Sequence, residues 1–198
     1  EHPETDAGIH LTLTAEWSHY RWGPVAGKDA VPGLVDEEGY LWRDVPSVVL
    51  HARADEFDTE IRAQLDRALE LGLEPTHLDT HMGTVFFPNY LRRYVKLGIE
   101  KTIPVMLPAG HLSRIGRGFD QAREFAVQAG LPRVLADALV QGVSTLAQNR
   151  VRAYGRELWD AGLPVIDDLE LDTGRPNLEE ARETLIQALR SLEPGITQ

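Results

Sequence analysis

Twice in this chain a helical stretch runs out into a glycine, a short turn and a strand-like segment. The two copies are Leu71-Gly72-Leu73-Glu74-Pro75-Thr76-His77 and Ala161-Gly162-Leu163-Pro164-Val165-Ile166-Asp167. A glycine just past the last helical turn supplies the left-handed residue that ends a helix, so each copy reads as a helix-to-strand step. The rest of the chain keeps this rhythm. Gly8-Ile9-His10-Leu11-Thr12-Leu13-Thr14 alternates strictly, with Ile9, Leu11 and Leu13 on one face and His10, Thr12 and Thr14 on the other, which predicts a strand with one polar face. Phe57, Ile61, Leu65 and Leu69 recur every fourth residue and predict a helix over 55–71.

Strand 75–79 follows, then a helix opened by Pro88, carrying Leu91, Tyr94 and Val95 and ending at Gly98, then a strand over 103–106. Phe119, Ala122, Phe125, Ala126 and Ala129 form a further helical face stopped by Gly130, and two helices are expected to fill 133–160. Asn177 with Glu180 forms a cap-like start for a last helix through Leu185, Leu189 and Leu192, closed by Pro194-Gly195. Alternation of this kind predicts an α/β fold with mostly parallel strands, open or closed into a barrel. One α/β domain over 1–198 is expected. The chain starts almost inside a strand and stops where another is due, so the expectation is truncation at both ends, with the first and last strands lacking. Residues 15–45, rich in Gly, Pro and aromatics, are expected to form a long loop or small insertion.

Composition narrows the chemistry. Of 198 residues, 42% are hydrophobic and none is Cys, which predicts a globular, soluble chain and leaves any metal to the seven His and the carboxylates. A formal charge of -11 opposes nucleic-acid binding, so no nucleic-acid partner is expected. No run approaches the roughly 18 apolar residues of a membrane span, and Glu1-His2-Pro3-Glu4 lacks the features of a signal peptide. No membrane association and a cytoplasmic location are therefore expected, and a homodimer is left open.

In parallel α/β folds, sites form at the carboxyl ends of strands. His10 and Thr12 share the polar face of the first strand. In His77-Leu78-Asp79-Thr80-His81 the period of two puts His77, Asp79 and His81 on one face. Asp and His alternating on a strand can supply both a metal ligand and the carboxylate that orients it. The alternative is that these are polar residues at a sheet edge or hydrogen-bonded core residues. In Glu16-Trp17-Ser18-His19-Tyr20-Arg21-Trp22-Gly23-Pro24 the rings of Trp17, Tyr20 and Trp22 either line a substrate groove or staple the loop to the core. His19 reads as solvated, and His2, His51 and His111 are given no role. Gly116-Arg117-Gly118 lacks the context of a dinucleotide loop, and neither a Gly-Lys-Ser/Thr cradle nor a Gly-x-Ser-x-Gly elbow occurs. Asp167-Asp168, at the end of an expected strand, is either catalytic or, as the commonness of exposed carboxylates favours, a solvated acidic turn.

At Gly8-Ile9-His10-Leu11-Thr12-Leu13-Thr14, at Pro32-Gly33-Leu34 with Asp36-Glu37-Glu38-Gly39, and above all at Pro75-Thr76-His77-Leu78-Asp79-Thr80-His81, the sequence resembles the YdjC-like carbohydrate deacetylases, a family that includes chitooligosaccharide deacetylases. The similarity extends over essentially the whole chain, and after about Met106 it is one of organisation. It implies a (β/α) barrel-like, polysaccharide-deacetylase-like fold and removal of acetyl groups from N-acetylated sugars with a divalent metal, Zn or Mg. It further implies His10 and His81 as metal ligands, Asp79 as a ligand-orienting or substrate-side group and His77 as structural; from the residues themselves, Asp79 is the catalytic candidate and Thr12, Trp17, Tyr20 and Trp22 are the substrate-binding candidates. The family's N-terminal Asp-Asp motif has no counterpart here, its late His-Pro segment would follow Thr197, and Met82-Gly83-Thr84 stands where many members carry more His. Two alternatives remain: a metal-dependent hydrolase of another amide or ester, and a catalytically degenerate carbohydrate-binding protein.

Overall fold

The computed structural model describes residues 6–110, 127, 132–169, 177–192 and 194–195. They fall into two compact units, Glu1–Met106 and Leu107–Gln198.

In the first unit, β1 (Ile9–Leu11) pairs in parallel with β2 (Leu78–Thr80) in the register Ile9–Leu78, His10–Asp79, Leu11–Thr80. Leu78 is also bridged in parallel to Val105, so the stretch expected as strand 103–106 contributes one bridge. Of the residues that the alternation over 8–14 turns inward, Leu11 and Leu13 are fully buried and Ile9 is half-buried, but Thr14 on the face expected to be polar and outward is fully buried too. The ladder nevertheless stops at Leu11. The Gln64 side chain takes the place of a neighbouring strand at Thr12, with Oε1 accepting from the Thr12 N–H at 3.0 Å and Nε2 donating to its carbonyl at 2.7 Å.

Gln64 lies on α2 (Ala54–Glu70), whose Phe57, Ile61 and Leu65 are fully buried as the fourfold spacing demands. At its start the Glu56 carboxylate accepts from the Arg53 backbone N–H at 2.7 Å, and beyond its end Gly72 turns at φ +82°, a conformation open to glycine without a Cβ penalty. α3 (Pro88–Lys101) packs beside it, the Tyr90 ring stacking on Phe57 with centroids 4.5 Å apart. Gly98 does not end this helix. It lies inside it, where any Cβ would fall 2.4 Å from Val105 Cγ1, and Thr102 in the left-handed region (φ 56°, ψ 40°) makes the stop. Tyr94 OH donates to the Leu78 carbonyl at 2.7 Å from a fully buried position that pushes its pKa up.

Residues 15–45 are built into this core: Val31, Leu34 and Leu41 are buried, Val35 and Leu41 form an antiparallel bridge, and Trp42 Nε1 donates to the Gly33 carbonyl. A short helix that the sequence reading left out, α1 (Val45–His51), follows, with Asp44 accepting from the Ser47 N–H at 2.9 Å.

In the second unit the two helices expected over 133–160 are one, α4 (Arg133–Asp160), which passes through Gly142 and Gly155 without a break. A glycine inside a helix costs only about 1 kcal/mol against alanine, which a 28-residue helix absorbs. Gly162 ends it at φ +79°, as Gly72 ends α2, and the strand expected after it contributes a parallel bridge between Ile166 and Pro108. α5 (Leu178–Arg190) starts as expected, Asn177 accepting from the Glu180 N–H at 2.9 Å. Asp168 is fully buried and accepts from the Leu169 N–H, so it is not part of a solvated turn. The helix expected over 119–129 and Gly116-Arg117-Gly118 lie almost wholly outside the described residues. Among the described residues the architecture is mixed helix and strand with a small parallel sheet of two strands; a closed barrel is not formed among them.

Candidate functional site

The register of the two strands builds the site. Residues opposite one another on neighbouring parallel strands project to the same face, and His10 stands opposite Asp79. Their side chains meet, His10 Nδ1 lying 2.8 Å from Asp79 Oδ1. His81 falls two residues beyond Asp79 and keeps its face, although the strand ends at Thr80 and His81 opens a short 3-10 segment, His81–Phe86. Met82 (φ 53°) and Gly83 (φ 68°) then turn the chain through two successive left-handed residues. His81 Nδ1 lies 3.2 Å from His10 Nε2, with the two rings edge to face at 71°.

On its far side His81 meets a residue the sequence reading passed over. Glu16 holds His81 Nε2 with both carboxylate oxygens, at 2.9 and 3.0 Å, and Glu16 Oε1 also accepts from Trp17 Nε1 at 3.1 Å. Desolvation pushes the Glu16 carboxyl up, but the His81 hydrogen bond and charge, with its own backbone N–H and Trp17, outweigh it and hold the group below the ordinary carboxylate value. One signal was available: continuing the period of two from His10 through Thr12 and Thr14 arrives at Glu16.

The result is a row of four side chains, Asp79, His10, His81 and Glu16, each within hydrogen-bond reach of the next. His77 stands apart from it. Its ring lies against Gly8, where a Cβ would be 2.3 Å from His77 Nε2, and its Nδ1 is 2.9 Å from Thr76 Oγ1. The expected substrate-binding residues divide. Trp17 (64% exposed) is tied to the row through Glu16, and Tyr20 (70% exposed) stands in solvent with its ring 6.1 Å from that of Trp22. Thr12 and Trp22 instead line a separate open cavity of about 420 Å³ with Leu41, Glu60, Gln64 and Leu71, to which none of the row contributes.

A divalent cation can be tested against this geometry. Two imidazole nitrogens on a tetrahedral Zn²⁺ at about 2.0–2.1 Å stand about 3.3 Å apart. The 3.2 Å between His10 Nε2 and His81 Nδ1 matches, and each ring has its other nitrogen on a carboxylate, the arrangement that fixes a metal-binding tautomer. These two residues fit as half of a site; among the described residues no group of three or more His, Asp or Glu side chains is arranged to hold an ion. No helix among the described residues is long and apolar enough to cross a membrane.

The chain has relatives among known proteins. A carbohydrate deacetylase of Thermus thermophilus is 35% identical over 103 residues, 52% of this chain and 38% of the relative, and one of Brevibacillus brevis is 37% identical over 108 residues, 54% and 40%. The chain thus spans about two fifths of the length of these curated relatives. A solved structure described as a cellobiose-phosphate cleavage protein from Enterococcus faecalis superposes with a TM-score of 0.63 over 98% of this chain and 58% of that one, at 19% identity, a likeness of fold. The family model for YdjC-like protein matches residues 1–197, and the chain belongs to that family.

Proposed function

We propose that this chain carries the histidine-holding part of a metal-dependent carbohydrate N-deacetylase, which removes acetyl groups from N-acetylated sugars such as chitooligosaccharides. The observation that carries the reading is the approach of His10 Nε2 to His81 Nδ1, each ring backed by a carboxylate. The carbohydrate deacetylases among its relatives support it. In the same reading β1 and β2 are neighbouring staves of a (β/α) barrel, whose active sites gather at strand carboxyl ends.

Deacetylation requires an amide carbonyl to be polarised, a water to lose a proton and a tetrahedral oxyanion to be stabilised. A divalent cation such as Zn²⁺ or Mg²⁺, when bound, supplies the Lewis acidity for this chemistry. His10 and His81 are the residues that would hold it. Asp79 acts through His10: accepting from Nδ1–H, it keeps the Nε2 lone pair free and the ring in place, a positioning role rather than a proton-transfer one. Trp17 and Tyr20 offer aromatic faces on which the apolar face of a sugar ring can stack.

The test is acetate release from N-acetylglucosamine oligosaccharides in the presence of Zn²⁺, Mg²⁺ or Co²⁺, comparing the wild type with His10→Ala and His81→Ala. Release by the wild type and loss in both variants is expected; no release from any such oligosaccharide with any of the three metals sinks the reading. A second reading, a sugar-binding protein without turnover, is favoured by the exposure of Trp17 and Tyr20. It predicts oligosaccharide binding that survives chelation of metal and is lost in Trp17→Ala.

A further inference from the structure

We propose that Glu16 is a positioning residue that sets His81 to bind a cation through Nδ1, as Asp79 sets His10 to bind through Nε2; this rests on the metal reading above. The backbone beside Glu16 is anchored, since Ala15 is fully buried and its N–H donates to the Trp42 carbonyl at 2.8 Å. The carboxylate is therefore presented to His81 from a fixed point, and Trp17 Nε1 and His81 Nε2 both donate to it.

A carboxylate has no proton to give, so Nε2 of His81 must carry the hydrogen in the contacts at 2.9 and 3.0 Å. In the neutral ring the lone pair then lies on Nδ1. The same argument at Asp79 leaves the lone pair of His10 on Nε2. The nitrogens left to face each other across 3.2 Å are then His10 Nε2 and His81 Nδ1, a spacing at which the pair shares either an added proton or a cation. Glu16 thus distinguishes the two nitrogens of His81. Without it the ring can take the other tautomer or turn over, and Nδ1 is no longer held towards His10.

Trp17 has a part in this. Its N–H donates to Glu16 Oε1 at 3.1 Å, so the exposed ring expected to meet substrate is hydrogen-bonded to the group that orients His81.

The test uses the full chain, with Zn²⁺ alone as the probe. Long-range ¹H–¹⁵N spectra of the metal-free wild type report which nitrogen of His81 is protonated, and calorimetric titration reports Zn²⁺ affinity. The expected results are an Nε2–H tautomer at His81 in the wild type, its loss in Glu16→Ala, and Zn²⁺ binding about 10–100-fold weaker in that variant, the usual effect of removing a carboxylate behind a ligating histidine. Glu16→Gln, which keeps an acceptor oxygen, recovers part of the affinity, which a merely structural contribution would not predict. An Nδ1–H tautomer in the wild type, or equal Zn²⁺ affinity in Glu16→Ala, overturns the role of Glu16 while the metal reading stands. Failure of the wild type to bind Zn²⁺ at all overturns the metal reading and this proposal together. The wild-type tautomer is measured whether or not the variants fold.

Discussion

His10 and Asp79 occupy one register position on neighbouring parallel strands, and 2.8 Å separates His10 Nδ1 from Asp79 Oδ1. Because the strands set the contact, truncating Asp79 removes the orienter without moving the ligand's backbone. Asp79→Ala is expected to weaken Zn²⁺ binding about 10–100-fold, and Asp79→Asn, which retains an acceptor oxygen, by less. Calorimetry on both variants checks this order. The reverse order would mean that Asp79 acts directly on the ion or on water rather than through His10.

The approach of α3 to the chain at Val105 depends on one glycine. At Gly98 a Cβ would lie 2.4 Å from Val105 Cγ1 and 2.9 Å from the Ile103 carbonyl oxygen, inside a core where Val105 is 3% exposed. Gly98→Ala is expected to destabilise the fold by about 1–3 kcal/mol as an overpacking substitution, even though alanine favours helix. Val105→Ala, made on top of it, should recover part of the loss. Urea unfolding of the two single variants and the double variant measures the coupling, and additive effects would show that the helix does not rest on Val105.

How far the site can be read from sequence follows from where its partners lie. His10, Asp79 and His81 share a face because a period of two is written into each strand, and pairing the strands needs only the parallel alternation that the helix-glycine-strand repeat predicts. Glu16 reaches His81 across 65 positions from a stretch with no ladder, so its partner is a tertiary fact. The ends of elements fail for the same reason. Burial alternates from His10 to Leu13 and is lost at the fully buried Thr14, and the ladder ends at Leu11, beyond which Gln64, 52 positions from Thr12, takes the Thr12 backbone groups. Gly98 looks like a helix stop and is a packing contact, while the actual stop, Thr102, is a residue that rarely adopts the left-handed region.

Gln64 gives a direct test of that strand ending. Its amide makes both backbone bonds of Thr12 and also donates to Glu60 Oε1 at 2.8 Å. Gln64→Ala leaves a part-buried N–H and C=O without these partners and is expected to cost about 1–3 kcal/mol. Hydrogen exchange at the Thr12 amide should accelerate relative to that at Leu11, which lies in the ladder. Unchanged Thr12 protection would mean that the strand edge is satisfied in another way.

Glu60 makes stability depend on pH in the direction opposite to a paired surface carboxylate. It is fully buried; desolvation raises its pKa above the ordinary 4.5, against hydrogen bonds from Ala26, Gln64 and Val25 that lower it. Between 4.5 and that raised value the folded state holds more protons than the unfolded state. The slope of unfolding free energy with pH is proportional to protons bound unfolded minus folded, so this group's contribution is negative and stability falls as pH rises through the window. Glu60→Gln removes the titration, and it also turns an amide N–H towards one of the backbone donors that Glu60 Oε1 and Oε2 now satisfy, a fixed cost of about 1–3 kcal/mol. Other carboxylates contribute equally to both proteins, so urea titrations at a series of pH values should show the advantage of the wild type over the variant shrinking from below pH 4.5 upward. A gap that stays constant or widens with pH would mean that the carboxylate is no harder to ionise in the folded chain than in the unfolded one.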